Sequence, residues 1–352
     1  MKKYLPFLLL LVVSVLLANC KFQSARLTIL QPAHFTVPEH ISKVAVVDRS
    51  KPSNGWLNVL EGVLTGEAIG QDRRSREEAV SGLIEGLRNT PRFEVIRTGI
   101  EMTGTRAGAN LPAPLSWAEV ERICQLHRAD AVVTIESFDT NTGIQTQRRE
   151  NTQKDKNGKQ LVTIDYRSEM RTAVTMGWRM YDPSSKNILD EWTTDDFLVS
   201  DATGDSEQAA LRGLPAPVSL SRRVAFTGGQ HYGMRIAPTY VSISREYYVK
   251  AKGAKASMQK AARYAEAGSW DKAAEFWKIL YEKYKEEDKI AGRAAYNMAV
   301  AAEMKGNLLL ALDWAKKSWE IHRNKRARQY VFTLQQRLED QERVRRQMHY
   351  KS

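Results

Sequence analysis

Apolar side chains recur along this chain in three rhythms, and each predicts a different kind of element. Residues 43–48, Lys-Val-Ala-Val-Val-Asp, are apolar almost without a break, the pattern of a strand covered on both faces. A polar, Gly-bearing loop follows over residues 49–55. Residues 58–89 read mainly as helix, interrupted near Gly66 and Gly70. In the part from 75 to 87, Ala79, Leu83, Ile84 and Leu87 fall on one face at helical spacing. Pro91 stops that helix, and Phe93-Glu94-Val95-Ile96 predicts a second strand. Ser116 and Glu119 have the spacing of a capping box and open a helix that ends near His127. Residues 131–135, Ala-Val-Val-Thr-Ile, predict a third strand. Strands and helices that alternate with short connections argue for a small α/β sheet domain.

The second rhythm has period two. Val162, Ile164, Tyr166, Met170, Val174, Met176, Trp178 and Met180 share one parity, interrupted by Ser168 and Thr172. Asp165, Arg167, Glu169, Arg171 and Arg179 share the other. This predicts a long strand or hairpin with one wet face, entered through a turn at Asn157-Gly158. A second hairpin is expected to turn over residues 182–187 and return through 188–197. Residues 201–217 read as loop. Residues 218–236 read as a helix that presents Ala225, Gly229, Tyr232, Gly233 and Ile236 on one side, small residues that would let it sit close on the sheet. Pro238 ends it, and residues 239–249 alternate as a further strand, where the domain is expected to close.

The third rhythm is helical and nearly repeats itself. After a Lys, Ala and Gly linker over 250–256, Ala261, Tyr264 and Gly268-Ser269-Trp270-Asp271-Lys272-Ala273 are followed by Ala299, Ala302 and Gly306-Asn307-Leu308-Leu309-Leu310-Ala311. In each copy a small residue precedes the Gly by seven and an Ala follows it by five. This resembles the tetratricopeptide repeat, a pair of antiparallel helices of about 34 residues. The Gly would end the first helix of each pair. The copies are offset by 38, with a charged insertion at 282–289, and both lack the Pro that usually closes the repeat. The resemblance implies a surface that holds a protein or peptide, with Tyr264 and Trp270 as candidate contacts. A last helix over about 324–347 is expected to cap the array. It is rich in Arg, and Arg343, Arg345 and Arg346 are its candidate partner contacts.

The order Lys-Val-Ala-Val-Val, helix, Pro-Arg-Phe-Glu-Val-Ile, helix, Arg-Ala-Asp-Ala-Val-Val-Thr-Ile resembles the amino-terminal domain of TolB and the core of CsgG-type lipoproteins. It covers residues 41–138. It implies an α+β (α/β) fold, a mixed sheet with a long hairpin, followed by an all-α carboxyl-terminal part. The chain as a whole resembles a family of Gram-negative envelope lipoproteins that join such a domain to helical repeats.

The start of the chain fits that family. Residues 1–20 carry Lys2 and Lys3, an apolar run and then Cys20, the layout of a secretory signal peptide. Leu17-Ala18-Asn19-Cys20 resembles a lipobox, although Asn19 departs from the usual small residue. The resemblance implies cleavage before Cys20 and lipid on its sulfur and amino group. Lys21 is not the Asp that marks inner-membrane retention in some of these families, which favours the outer membrane. Residues 21–40 are then a tether, 41–249 the α/β domain and 257–352 the helical domain.

Charge sharpens the expected partners. The formal net charge is +12, and residues 20–249 hold 28 basic and 28 acidic side chains. From residue 250 onward there are 23 basic and 13 acidic. An exported protein does not meet a chromosome, so nucleic acid is not an expected partner. The membrane through the lipid, and an envelope protein or peptide through the repeats, are. Of the two Cys, lipidation of Cys20 leaves Cys124, so no internal disulfide is expected.

Motifs of catalysis are absent from the sequence. The six His are scattered without metal-ligand spacing, and there is no nucleophile elbow or phosphate-binding loop. No metal, no cofactor and no enzymatic activity are expected. The one constellation of interest is Glu61, Glu67 and Asp72, three carboxylates able in principle to act as acid and base or to hold a cation. The expected function is a lipid-anchored scaffold or assembly factor. The alternatives are a subunit of a CsgG-type oligomeric export complex, and an envelope enzyme built on those carboxylates.

Overall fold

The computed structural model of the protein describes residues 22–51, 66–104, 111–154, 158 and 160–348. In chain order its elements begin with β1 Phe22–Gln31, β2 Lys43–Lys51, α1 Gly66–Arg88, β3 Glu94–Thr103 and α2 Trp117–His127. Next come β4 Ala131–Lys154, β5 Gln160–Asp182, β6 Asn187–Gly204, α3 Glu207–Arg212, α4 Pro217–Ile236 and β7 Thr239–Tyr248. The helices α5 Lys255–Glu266, α6 Trp270–Lys283, α7 Asp288–Met304, α8 Leu308–His322 and α9 Lys325–Gln347 complete the series. Two compact units result. One is built on Ala33–Thr239 with the last residues from Gln347, the other on residues up to Pro32 together with Tyr240–Arg346.

The first unit is a mixed α/β structure around a five-stranded sheet of order β3-β2-β4-β5-β6. Strands β3, β2 and β4 run parallel, with Val44 opposite both Val95 and Ala131. β4, β5 and β6 run antiparallel, with Val133 opposite Met180. The apolar run of β2 is explained by helices on both faces. Val44 and Val46 face α1 and α4 together with Ile135, Met176 and Trp178. Ala45 and Val47 face α2 with Val132 and Tyr181. Ala79, Leu83, Ile84 and Leu87 of α1 are buried, as their spacing predicts. Ser116 accepts a hydrogen bond from the Glu119 amide and caps α2.

Helices α1 and α4 approach until their backbones touch. A Cβ added at Gly82 would lie 1.9 Å from the Phe226 carbonyl oxygen, and one at Gly229 2.0 Å from that of Ala79. Gly229 and Gly233 of α4 therefore serve a helix contact that the sequence reading did not foresee, while α4 also packs on the sheet, where Tyr232 stacks on Trp178 at 5.0 Å.

The long period-two stretch is longer than the sequence indicates and only partly covered. Met170, Val174, Met176, Trp178 and Met180 are fully buried, while Val162 and Ile164 of the same parity are 56% and 44% exposed. They lie beyond Tyr166, the last residue of β5 that pairs with β6. Ser168 and Thr172 interrupt the pattern without cost, since each is bonded to a Thr hydroxyl of β4. The expected loop at 201–217 instead continues β6 to Gly204 and then forms α3, capped by Ser206.

The second unit is helical apart from the pair β1 and β7, which form a two-stranded sheet of their own. Residues 21–40, expected as a tether, thus contain a strand. The strand over 239–249, expected to finish the α/β sheet, pairs with β1 instead. Tyr247, Tyr248 and Val249 lie in one core with Trp277, Leu280, Ala294, Ala299, Val300 and Leu334, and Phe22 and Ala25 of β1 pack on it. Gly268 and Gly306 follow α5 and α7 with φ of +75° and +80°, values that favour Gly, and there the chain reverses into the next helix.

Candidate functional site

The most constrained surface of the helical unit is one side of α7, and the chain itself occupies it. α7 is rich in Ala, and Ile290, Ala291, Ala294, Ala295, Ala299, Val300 and Ala301 are buried, so neighbours approach on every side. Asn297 on this helix is completely buried. Its Oδ1 accepts from the Tyr248 amide at 2.8 Å and its Nδ2 donates to the Tyr248 carbonyl at 2.7 Å. One side chain thus does for β7 what a neighbouring strand would do, which an exposed strand edge otherwise lacks. The Tyr248 ring meets Tyr296 edge-on at 5.3 Å, and Tyr296 lies 5.3 Å from Tyr330 of α9.

One turn and a half further along α7, the buried carboxylate of Glu303 gathers three donors. Oε2 accepts from Arg245 Nε at 2.7 Å and from the Tyr330 hydroxyl at 2.5 Å. Oε1 accepts from Arg245 Nη2 at 3.0 Å and Arg337 Nη1 at 2.6 Å. The set ties β7 and α9 to α7. Burial alone would lower the Arg245 pKa, but the bonds and charge of Glu303 hold it above the usual value. Burial, then the Glu303 charge, push Tyr330 well above the ordinary tyrosine range. Burial also pushes Tyr247 and Tyr296 up to about 12. These phenols stay protonated at neutral pH, so the arrangement binds segments together and offers no nucleophile.

The α/β unit contains a second cluster of the same composition where the last residues of β2 lie beside the first part of β4. Glu136, fully buried, accepts from Arg49 at 2.6 Å, from Thr134 at 2.7 Å and from the Tyr181 hydroxyl at 2.6 Å. Arg179 lies 3.7 Å away and also donates to Glu191 at 2.9 Å and to the Pro112 carbonyl. Burial, then Glu136, raise the Tyr181 pKa to about 12. Sequence reasoning missed both clusters. Glu136 ends the apolar run of β4 and Glu303 the Ala-rich run of α7, and an acid in that place was the available signal.

Of the candidates from the sequence, Tyr264 and Trp270 are half-buried and engaged within their unit. Tyr264 stacks on Phe276 at 5.3 Å, and Trp270 meets Tyr247 edge-on at 5.8 Å. Arg345 and Arg346 are exposed, and Arg343 lies 3.6 Å from Asp340. Arg337, counted with the basic helix, belongs to the Glu303 cluster. Arg326 of the same helix pairs with Glu246 and lies over the Phe22 ring.

Cys20 and Glu61 lie outside the described residues. Glu67 and Asp72 fall within α1, but their side chains also lie outside what is described. Cys124 is buried, and burial, then Asp130 and Asp182, raise its pKa to about 11, so its thiolate is scarce. Among the described residues no group of three or more His, Cys, Asp or Glu could hold a metal ion, and no helix is long and apolar enough to cross a membrane.

These features define a mixed α/β unit joined to a helical unit, each fixed by a buried Glu with two Arg and one Tyr. The chain belongs to the family of the domain of unknown function DUF8603, whose model matches residues 41–248. Residues 259–351 match a second domain of unknown function, DUF6340. No curated protein matches the chain. Among solved structures, it is similar to the PelC dodecamer from Paraburkholderia phytofirmans, at 13% identity over 58% of this chain and 97% of that one, TM-score 0.21. A proposed lipoprotein from Caulobacter crescentus CB15 matches at 12% identity over 54% and 84%, TM-score 0.20. TolB from Acinetobacter baumannii matches at 11% identity over 60% of this chain and 31% of that one, TM-score 0.19.

Proposed function

We propose that this protein is lipid-anchored in the cell envelope, at the outer membrane, and serves as a protein-binding scaffold through its helical unit. One observation carries the reading. Only Lys21 stands between Cys20 and Phe22, the first residue of β1, and β1 packs on the core of the helical unit. A lipid on Cys20 therefore holds that unit at the membrane surface, since one extended residue reaches about 3.6 Å. The reversals after Gly268 and Gly306, with small residues around them, support a tetratricopeptide-like pairing of α5 with α6 and α7 with α8. The order of elements from β2 to β4 supports a TolB-like or CsgG-like α/β unit.

β7 already covers one side of α7, so the partner surface is assigned to the outer helices. There Ile279 of α6, Leu309 of α8 and Phe332 of α9 are 61%, 71% and 59% exposed, and Arg345 and Arg346 add positive charge. Labelling with a palmitate analogue tests the anchor: wild-type protein should take up label and Cys20→Ala should not. Capture from native envelopes tests the scaffold. Truncation at residue 257 would open the core around β7, so point variants are the right comparison. With Arg343, Arg345 and Arg346 changed to Gln, association should slow and the salt dependence of capture should fall, because rim charges act chiefly on encounter. Capture at the wild-type rate in low salt would discard the basic helix as a contact.

The export-subunit reading draws on the arm formed by β4 and β5. Its inner-parity face exposes Ile144, Val162 and Ile164, but the Arg148–Glu150 ion pair interrupts the same face. A lipid-facing strand needs a continuous apolar side of about 9–11 residues. Absence of conductance in single-channel recordings would remove this reading.

A further inference from the structure

Among the described residues, Arg76 of α1 has no counter-ion. The residue is 7% exposed, and its Nε and Nη1 atoms are buried with no hydrogen-bond partner. The acidic residues that follow it on α1 serve other cations: Glu77 pairs with Arg73, and Glu78 with Arg222 of α4. The other deeply buried arginine of this unit, Arg179, is held by Glu191 and Glu136. A guanidinium cannot escape burial by losing its proton, and a buried charge is tolerated when paired and costly when not.

The surroundings of Arg76 also favour negative charge. The Ser75 hydroxyl lies 3.0 Å from that of Ser221 in the second turn of α4, so the backbone of α1 just before Arg76 runs beside the amino-terminal turns of that 20-residue helix. Ala216 offers α4 no side-chain cap, and no acidic residue stands in its first turn, so α4 itself supplies no negative charge at its positive end. Arg74 and Arg223 are exposed close by in sequence to these contacts.

We propose that Arg76 is the centre of an anion site that takes a phosphate group, on a soluble ligand or a lipid headgroup. A guanidinium fork meets two phosphate oxygens at once, and a helix amino terminus with further arginines suits a multiply charged oxyanion better than a single carboxylate.

Thermal unfolding of the full chain tests this, in chloride and in inorganic phosphate at equal ionic strength. Phosphate at about a hundredfold excess over its dissociation constant should raise the wild-type midpoint by about 5–10 °C. Arg76→Met keeps the length of the side chain and removes the charge. It should melt at or above the wild type in chloride and not respond to phosphate. An Arg76→Met protein that melts below the wild type in chloride, or an equal phosphate response in both proteins, or none in either, overturns the proposal. Should Arg76→Met not fold, Arg76→Gln read by broadening of the phosphate phosphorus resonance decides the same point: broadening by wild type alone supports the site, equal broadening overturns it. Phosphatidylglycerol vesicles that displace phosphate assign the lipid headgroup, and vesicles that do not assign a soluble anion.

Discussion

His231 Nδ1 lies 3.1 Å from Asp196 Oδ1, and the pair makes stability depend on pH. The hydrogen bond to Asp196 raises the His231 pKa. Burial opposes the ionised form of Asp196, yet the His231 bond and charge hold its pKa below the usual value. A raised His contributes below its unfolded value of about 6.5 and fades as pH rises through the folded one, and a lowered Asp contributes above about 3.9. The contribution is therefore greatest between these values. His231→Gln should destabilise the protein near pH 5–6 by less than about 1 kcal/mol, because the ring is 44% exposed. By pH 8–9 the difference should vanish in urea unfolding, and a difference that is constant with pH would refute the assignment. Glu303 is the opposite case, fully buried between Arg245 and Arg337. Glu303→Leu leaves two cations without their partner and should cost about 3–5 kcal/mol by denaturant titration. A cost below about 1 kcal/mol would mean that the arginines regain water. Sequence could show neither pairing, since Arg245 and Glu303 lie 58 positions apart and nothing local links them.

At the scale of elements, helices were more legible than strand ends. The buried face of α1, the Ser116 cap and the small-residue side of α4 all follow from spacing, because helical periodicity is local. β4 and β6 run past their predicted ends because pairing with β5 sustains polar residues that no intrinsic preference would place in a strand. The contact of Gly229 and Gly233 with α1 was missed for a related reason, since small residues signal close approach without saying to what. Gly82→Ala should drive a methyl into the Phe226 carbonyl and destabilise by at least about 1–3 kcal/mol. Gly143 of β4 has nothing within 4 Å of a built Cβ, so Gly143→Ala should be neutral or gain up to about 1 kcal/mol. Thermal midpoints of the two variants should move in opposite directions or differ by several degrees, and equal shifts would count against the helix contact.

For the whole molecule, the division into an α/β part and a helical part was visible in the change of rhythm near residue 250. The candidate site was not, because β1 was read as a tether from its position after the signal, although Ala25, Leu27 and Ile29 alternate with exposed residues. A chain that begins at residue 33 loses Phe22 and Ala25 from the helical core. Hydrogen exchange should then accelerate in α7 while the amides of β2 and β4 keep their protection. Unchanged protection in α7 would show that the strand is dispensable.

The ribbon of β1 and β7 also orders events in time. β1 is made early, and roughly two hundred residues must follow it before β7 and the helices exist to receive it; domains generally fold as units as they emerge. The α/β strands and helices are all synthesised within that interval, so they can close while β1 still waits. The helical core can close only when the tail of the chain has arrived. The earliest described segment of this protein is therefore among the last to find its place, and a chaperone that guards one nascent strand would have the longest task here.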